Sequence, residues 1–263
     1  MHLKKWITVL GLFLTCIAHG QILKVDKSHL AKDSTNYLTG TADLRFQLNN
    51  LASTLQQQNS LLSIHSLLDL VYITQNHALI TINEFQYFKA GDGPVLNNGS
   101  AHFRINWSRN TFLSPETFVQ IQYDESRQMN LRFLYGAGTR FNIIKGDNSL
   151  HAGLGVFREN EIWENRKGNE LNVSFNKLNS YLGGEVNIND HVELNSIVYF
   201  QTAYDNSIGH WRNRLNGSIE LKDRITKNFQ LKLALSGSFD DKPIIEITRF
   251  FYSLQLGFEF SFQ

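Results

Sequence analysis

Phe250, Tyr252, Leu254, Leu256, Phe258, Phe260 and Phe262 occupy every second position of the C-terminal stretch, with Phe251, Ser253, Gln255, Gly257, Glu259 and Ser261 between them. Successive side chains on a strand point to opposite faces. The stretch therefore presents one continuous apolar and aromatic stripe and, Phe251 apart, one polar or small stripe. Strands of soluble sheets mostly run to about 5–6 residues. A longer alternating run ending next to the C-terminus is the pattern of the closing strand of an outer-membrane barrel.

The pattern recurs along the chain. Phe229, Leu231, Leu233, Leu235 and Phe239 alternate with Gln230, Lys232, Ser236, Ser238 and Asp240. Similar runs carry Val192–Tyr204, Trp211–Leu221, Leu131–Ile143 and Leu62–Tyr72. Turn-forming clusters separate them, among them Gly91-Asp92-Gly93-Pro94, Lys145-Gly146-Asp147-Asn148 and Asp240 to Pro243. Proline removes a ladder hydrogen bond, and only three occur, Pro94, Pro115 and Pro243. Counting runs from Leu38 to Phe262 predicts an all-β, transmembrane, antiparallel up-and-down barrel of about twelve strands with both termini on the periplasmic side. The short connections on that side are expected at 74–77, 109–115, 144–148, 187–190 and 223–228. Longer ones are expected outward, at 49–59, 90–98, 125–128, 162–170, 205–209 and 240–246. Residues 77–88 alternate too weakly to assign a face. In 171–188 the apolar residues change from odd to even positions, so a β-bulge near Asn176–Lys177 is expected.

The N-terminus has the form of a secretory signal. Lys4 and Lys5 precede an apolar run from Trp6 to Ala18, and small residues in Ala18-His19-Gly20 place cleavage before Gln21. The expected organisation is a signal peptide at 1–20, a periplasmic tail at 21–37 and a barrel at 38–263. Cys16, the single cysteine, lies in the signal, which excludes disulfides, thiolate metal sites and a thiol nucleophile from the mature chain. A net charge of +1 gives no basic surface for nucleic acid.

Phe112-Leu113-Ser114, Phe118 to Asp124, Asn130 to Gly138, Asn148 to Val156 and the Asp240-Asp241-Lys242-Pro243 turn together resemble the salt-induced outer-membrane protein family, domain-of-unknown-function family 481. The resemblance spans roughly residues 38–263. It implies a monomeric outer-membrane barrel, linked in some members to salt or osmotic stress, with no catalytic residues or established ligand. Its expected partners are outer-membrane lipid and the barrel-assembly machinery, which would read the C-terminal strand.

Catalytic motifs are absent. A barrel phospholipase needs His two residues before Ser-Asn, and no such sequence occurs. Asp205 and His210 flank one outward turn but form no protease-like pair of dyads. The histidines lack metal-ligand spacing. Gly136-x-Gly138 and Gly153-x-Gly155 precede no helix, so they leave room for lumen side chains or bend a strand rather than bind phosphate. No cofactor or metal is expected, and a non-enzymatic barrel is the leading reading, with a barrel hydrolase or protease as the lesser alternative.

The polar phase predicts a lumen lined by Arg104, Arg132, Arg140, Glu193, Arg212, Arg214, Glu220, Lys232, Arg249 and Glu259, with Asp69, Gln120, Asp124, Glu159 and Lys222 beside them. Along the closing strand, Arg249, Gln255 and Glu259 are expected beside Asp43, Arg45 and Gln47 of the first. Eight strands fill with side chains and sixteen to eighteen leave a channel, so a narrow or closed lumen is expected. Two readings stay open. The charges pair across the interior, or Arg132, Arg140, Arg212 and Arg214 form a ladder for small anionic solutes. Outward Trp107, Tyr123, Tyr135, Tyr204, Trp211, Tyr252 and Phe262 suit interfacial girdles.

Overall fold

The computed structural model describes residues 36–54, 57–91, 93–165 and 167–262. The signal at 1–20 and the tail through residue 35 lie outside the described residues, as do the side chains of Arg45 and Phe262. Twelve strands run in chain order: β1 Tyr37–Thr54, β2 Gln57–Ile73, β3 Ala78–Ala90, β4 Gly93–Asn106, β5 Leu113–Asp124, β6 Met129–Ile144, β7 Ser149–Glu164, β8 Glu170–Asn187, β9 Val192–Asp205, β10 His210–Arg224, β11 Phe229–Asp240 and β12 Phe250–Phe262. Each pairs antiparallel with its neighbours in sequence, and β1 pairs with β12 to close the barrel. Closure satisfies the edge ladders that an open sheet would leave unpaired.

The alternation that generates the strands also sorts their side chains. Along β12, Ser253 and Glu259 are buried while Tyr252, Leu254, Leu256 and Phe258 are exposed. Leu154, Val156, Leu178, Leu182, Val198, Ile219 and Leu235 are exposed in the same way on their own strands. A soluble monomer rarely exposes contiguous apolar area beyond a few hundred Å2; here apolar residues cover the barrel wall. Exposed rings pair along it, Tyr204 with Trp211 at 5.6 Å between centroids and Phe229 with Phe258 at 5.0 Å. Among the described residues, no helix is long and apolar enough to cross a membrane.

Several expectations are corrected. The β7–β8 register runs without a shift from Ser149↔Glu185 to Glu164↔Glu170, so β8 has no bulge. Phe175 instead faces inward, where Lys177 Nζ and Arg212 Cζ each lie 5.7 Å from its ring centroid, and this apolar residue on the inner face is what mimics a phase change. The weak alternation of 77–88 has a related cause. Ala78, Ile80 and Ile82 of β3 are buried with Val71 and Ile73 of β2, while Leu68, Tyr72 and Phe85 are exposed. Both faces are therefore apolar at that end.

The outward connections are not uniformly the longer set. β1 ends at Thr54 and β2 begins at Gln57, β3 ends at Ala90 and β4 begins at Gly93, while nine residues, 241–249, separate β11 from β12. Arg249 belongs to that segment, is exposed, and does not line the lumen, because β12 begins one residue later. Its carbonyl accepts the Asp240 backbone N–H at 2.8 Å. At the β1–β12 seam Gly40 pairs with Phe262, Thr41 with Ser261 and Ala42 with Phe260.

Candidate functional site: the barrel interior

Inward positions fall on even residues of β3–β6, β10 and β11 and on odd residues of β7, β8, β9 and β12. The barrel then brings together groups that are far apart in sequence, and they form layers along its axis.

The central layer is an ion-pair belt. Glu159 of β7, fully buried, takes Arg132 Nε of β6 at 2.6 Å and Lys177 Nζ of β8 at 2.5 Å, with Arg214 Nη1 of β10 at 3.5 Å. Glu161 lies 3.2 Å from Arg132 and 3.6 Å from Arg214, and accepts the Trp163 indole N–H at 2.9 Å. Arg214 also reaches Asp240 of β11 at 3.0 Å. Three cations, Arg132, Lys177 and Arg214, thus face three carboxylates, Glu159, Glu161 and Asp240. β7 and β10 are not neighbours in the sheet, so the belt ties across the lumen. Isolated charges in a low-dielectric interior are costly, and mutual pairing removes most of that cost.

A second tie crosses elsewhere. Tyr181 of β8 donates its hydroxyl to Glu116 of β5 at 2.7 Å, Arg104 of β4 lies 3.9 Å from Glu116, and Arg104 also hydrogen-bonds Tyr199 of β9. Glycines make room for these side chains. A Cβ on Gly153 would overlap the Tyr181 ring, and one on Gly183 would come within 2.6 Å of His151 Nε2. Gly136 similarly yields to Phe118 and Phe157. Of the two parts the sequence offered for Gly136 and Gly153, room for lumen side chains or a strand bend, they play the first.

Toward the end where β1 begins and β12 ends, Glu259 receives Lys222 Nζ at 2.9 Å, Lys232 Nζ at 3.1 Å and Gln230 Nε2 at 2.6 Å, while Lys232 lies 3.5 Å from Glu220. Glu193 accepts from Asn195. Arg140 is buried and donates to Asn142 at 3.1 Å. Arg132, Arg212 and Arg214 are each held by carboxylates, and among the described residues no continuous arginine ladder runs down the interior.

At the opposite mouth the 241–249 segment forms a lid, a feature the sequence reading missed. Ile245 is buried against Met129 and Trp163, with Ile244, Ile247 and Val173 packed around them. Asp241 fastens it: its carboxylate accepts the Asn213 backbone N–H at 2.8 Å and side-chain Nδ2 at 2.9 Å, and its own N–H donates to Asn213 O at 3.1 Å. Arg212, paired with Asp205 at 2.6 Å, donates to the Lys242 carbonyl. Arg127, in the short 3-10 turn 125–127, stacks over the Phe251 ring at 4.2 Å across the same mouth. Burial and the neighbouring Arg214 and Arg132 lower its pKa from the usual guanidinium value, while Asp124 opposes the shift.

No family model matches the chain, and no curated protein matches it. Solved structures that resemble it in shape include two porins. One is described as the NanC porin structure in rhombohedral crystal form, with a TM-score of 0.48 and 9% identity over 85% of this chain and 98% of that one. The other is an anion-selective porin from Comamonas acidovorans, with a TM-score of 0.41 and 10% identity over 87% of this chain and 99% of that one.

Proposed function

We propose that the protein is a monomeric, non-enzymatic outer-membrane barrel whose lumen is closed at rest, serving the cell envelope rather than acting as an open pore. The observation that carries this reading is the cross-lumen belt, in which Arg132, Lys177 and Arg214 are balanced by Glu159, Glu161 and Asp240. An anion path needs unpaired positive charge along its length, and here a passing anion would compete with buried carboxylates at the central belt. The apolar outer wall and its aromatic residues support placement in lipid. A role under salt or osmotic stress, which the family resemblance implies, belongs to the same proposal, as does recognition of β12 by the barrel-assembly machinery.

The test is single-channel recording in planar bilayers with the purified barrel. The expected result is no steady conductance above background. A stable, anion-preferring conductance that falls on Arg132→Ala, Arg140→Ala and Arg212→Ala would establish the channel reading instead. For the stress role, a deletion strain is expected to grow more slowly than its complemented parent at raised salt. Equal growth overturns that part alone.

A further inference from the structure

We propose that the barrel interior contains a binding site for one small, neutral, polyhydroxylated solute, in the size range from glycerol to a hexose. The site goes beyond the reading of a closed barrel, since a conducting barrel could hold it equally well. It is a cavity of about 80 Å3 beneath the lid, and Met129 and Trp163 belong both to its wall and to the lid cluster. A single water needs roughly 10–15 Å3 of such space, so a solute of several heavy atoms fits.

Its lining points to the chemistry. Asn98 and His102 on β4 are 2% and 1% exposed, yet both amide atoms of Asn98 and Nε2 of His102 have no hydrogen-bond partner in the protein. His102 is oriented through its other nitrogen, Nδ1, which lies 3.1 Å from Gln120 Oε1. From the far wall come Asn179 of β8 and Gln201 of β9, register partners whose side-chain oxygens Oδ1 and Oε1 are likewise unpaired. Buried polar groups are almost always satisfied, and a cluster of exceptions converging on one cavity calls for a ligand with polar atoms.

The charges on the wall narrow the class. Of the four arginines on the wall, Arg104, Arg132 and Arg214 are already engaged by Glu116, Glu159, Glu161 and Asp240, and the fourth, Arg127, lies over the Phe251 ring with its Nε unpaired and Asp124 close by, so an anion would have to break existing pairs or face that carboxylate. An apolar guest would leave the amides unsatisfied. Amides both donate and accept, which matches hydroxyl groups, and the rings of Phe118, Phe157 and Trp163 suit the C–H face of a polyol or sugar.

The test uses the full mature barrel in an amine-oxide detergent, which carries no sugar headgroup, with Trp107 and Trp211 replaced by Phe so that Trp163 reports. Glycerol, erythritol and glucose are titrated separately, then sodium sulfate. The expected result is a saturable change in Trp163 fluorescence with at least one of the three neutral solutes. Asn98→Leu should weaken it at least tenfold without altering the thermal melt. Should Asn98→Leu fail to fold, Gln201→Leu on the opposite wall is read in its place, with the same expected loss. No saturable response to any neutral solute overturns the proposal, as does a response that neither variant weakens. A saturable response to sulfate alone, lost in the same variants, overturns the neutral class. Conductance is not read in this assay, so its outcome is independent of whether the barrel forms a pore.

Discussion

Lys177 Nζ lies 2.5 Å from Glu159 Oε1 in the middle of the barrel, and both side chains are almost completely removed from solvent. Removing one partner of a buried pair leaves an uncompensated charge, at about 3–5 kcal/mol. Glu159→Gln should therefore lower stability by about that much, because Arg132, Lys177 and Arg214 would then share two carboxylates. The double variant Glu159→Leu, Lys177→Met restores a balance of two against two and should recover most of the loss, since apolar replacement of a buried pair is often neutral. Urea unfolding in lipid vesicles measures both. A double variant no more stable than the single would show that the belt is not held by charge balance.

Asp241 fastens the lid to β10 through two accepted hydrogen bonds from Asn213. Asp241→Ala removes both while leaving the barrel ladders intact. The expected effect is local: about 1–3 kcal/mol less resistance to lid opening, which raises the open fraction roughly tenfold per 1.4 kcal/mol. Limited proteolysis between 243 and 249 should accelerate accordingly, with little change in the global melt. Equal cleavage rates in variant and parent would place the stability of the lid in the Ile245 cluster and the remaining contacts of residues 241 and 242, not in the Asp241 carboxylate.

The strands were legible because an apolar outer wall on one side and a polar lumen on the other impose a period of two on almost every run. The readings failed where that contrast fails. Val71, Ile73, Ile80 and Ile82 are apolar on the inner face, so 77–88 carried no usable phase. Phe175 sits inside among cations, so β8 seemed to change register. The lid was invisible because Ile244, Ile245 and Ile247 follow neither a strand nor a helix period, and the run after Asp240 resembles a turn. Most of the lumen residues could be named from phase, apart from Arg249. Their partners could not, because whether Glu159 meets Arg214 depends on the curvature and stagger of the closed sheet, which no local pattern encodes.

Gly153 lies where any Cβ would overlap the Tyr181 ring. Gly153→Ala should displace that ring, break the 2.7 Å bond from Tyr181 to Glu116 and destabilise the barrel by about 1–3 kcal/mol through overpacking. Adding Tyr181→Leu frees the space, although Glu116 still lacks the hydroxyl. The pair should therefore recover the steric part of the loss and no more. A thermal melt series of the parent, both single variants and the pair gives the coupling. Strict additivity would show that the glycine is not there to admit the tyrosine.

Leu254 is 58% exposed near the centre of β12, beside its register partner Leu235 on the outer wall. Arginine at the bilayer midplane of a barrel costs about 2–4 kcal/mol, falling to about 0–1 near the interfaces. On an aqueous surface the same substitution usually stays within about 0.5 kcal/mol of neutral. Leu254→Arg should therefore lose about 2–4 kcal/mol in vesicle refolding, and Phe250→Arg, at the end of the same strand and also exposed, distinctly less. This depth dependence comes from hydrocarbon and has no counterpart in water. Equal, near-zero effects at both positions would place the apolar wall against water or another protein rather than lipid.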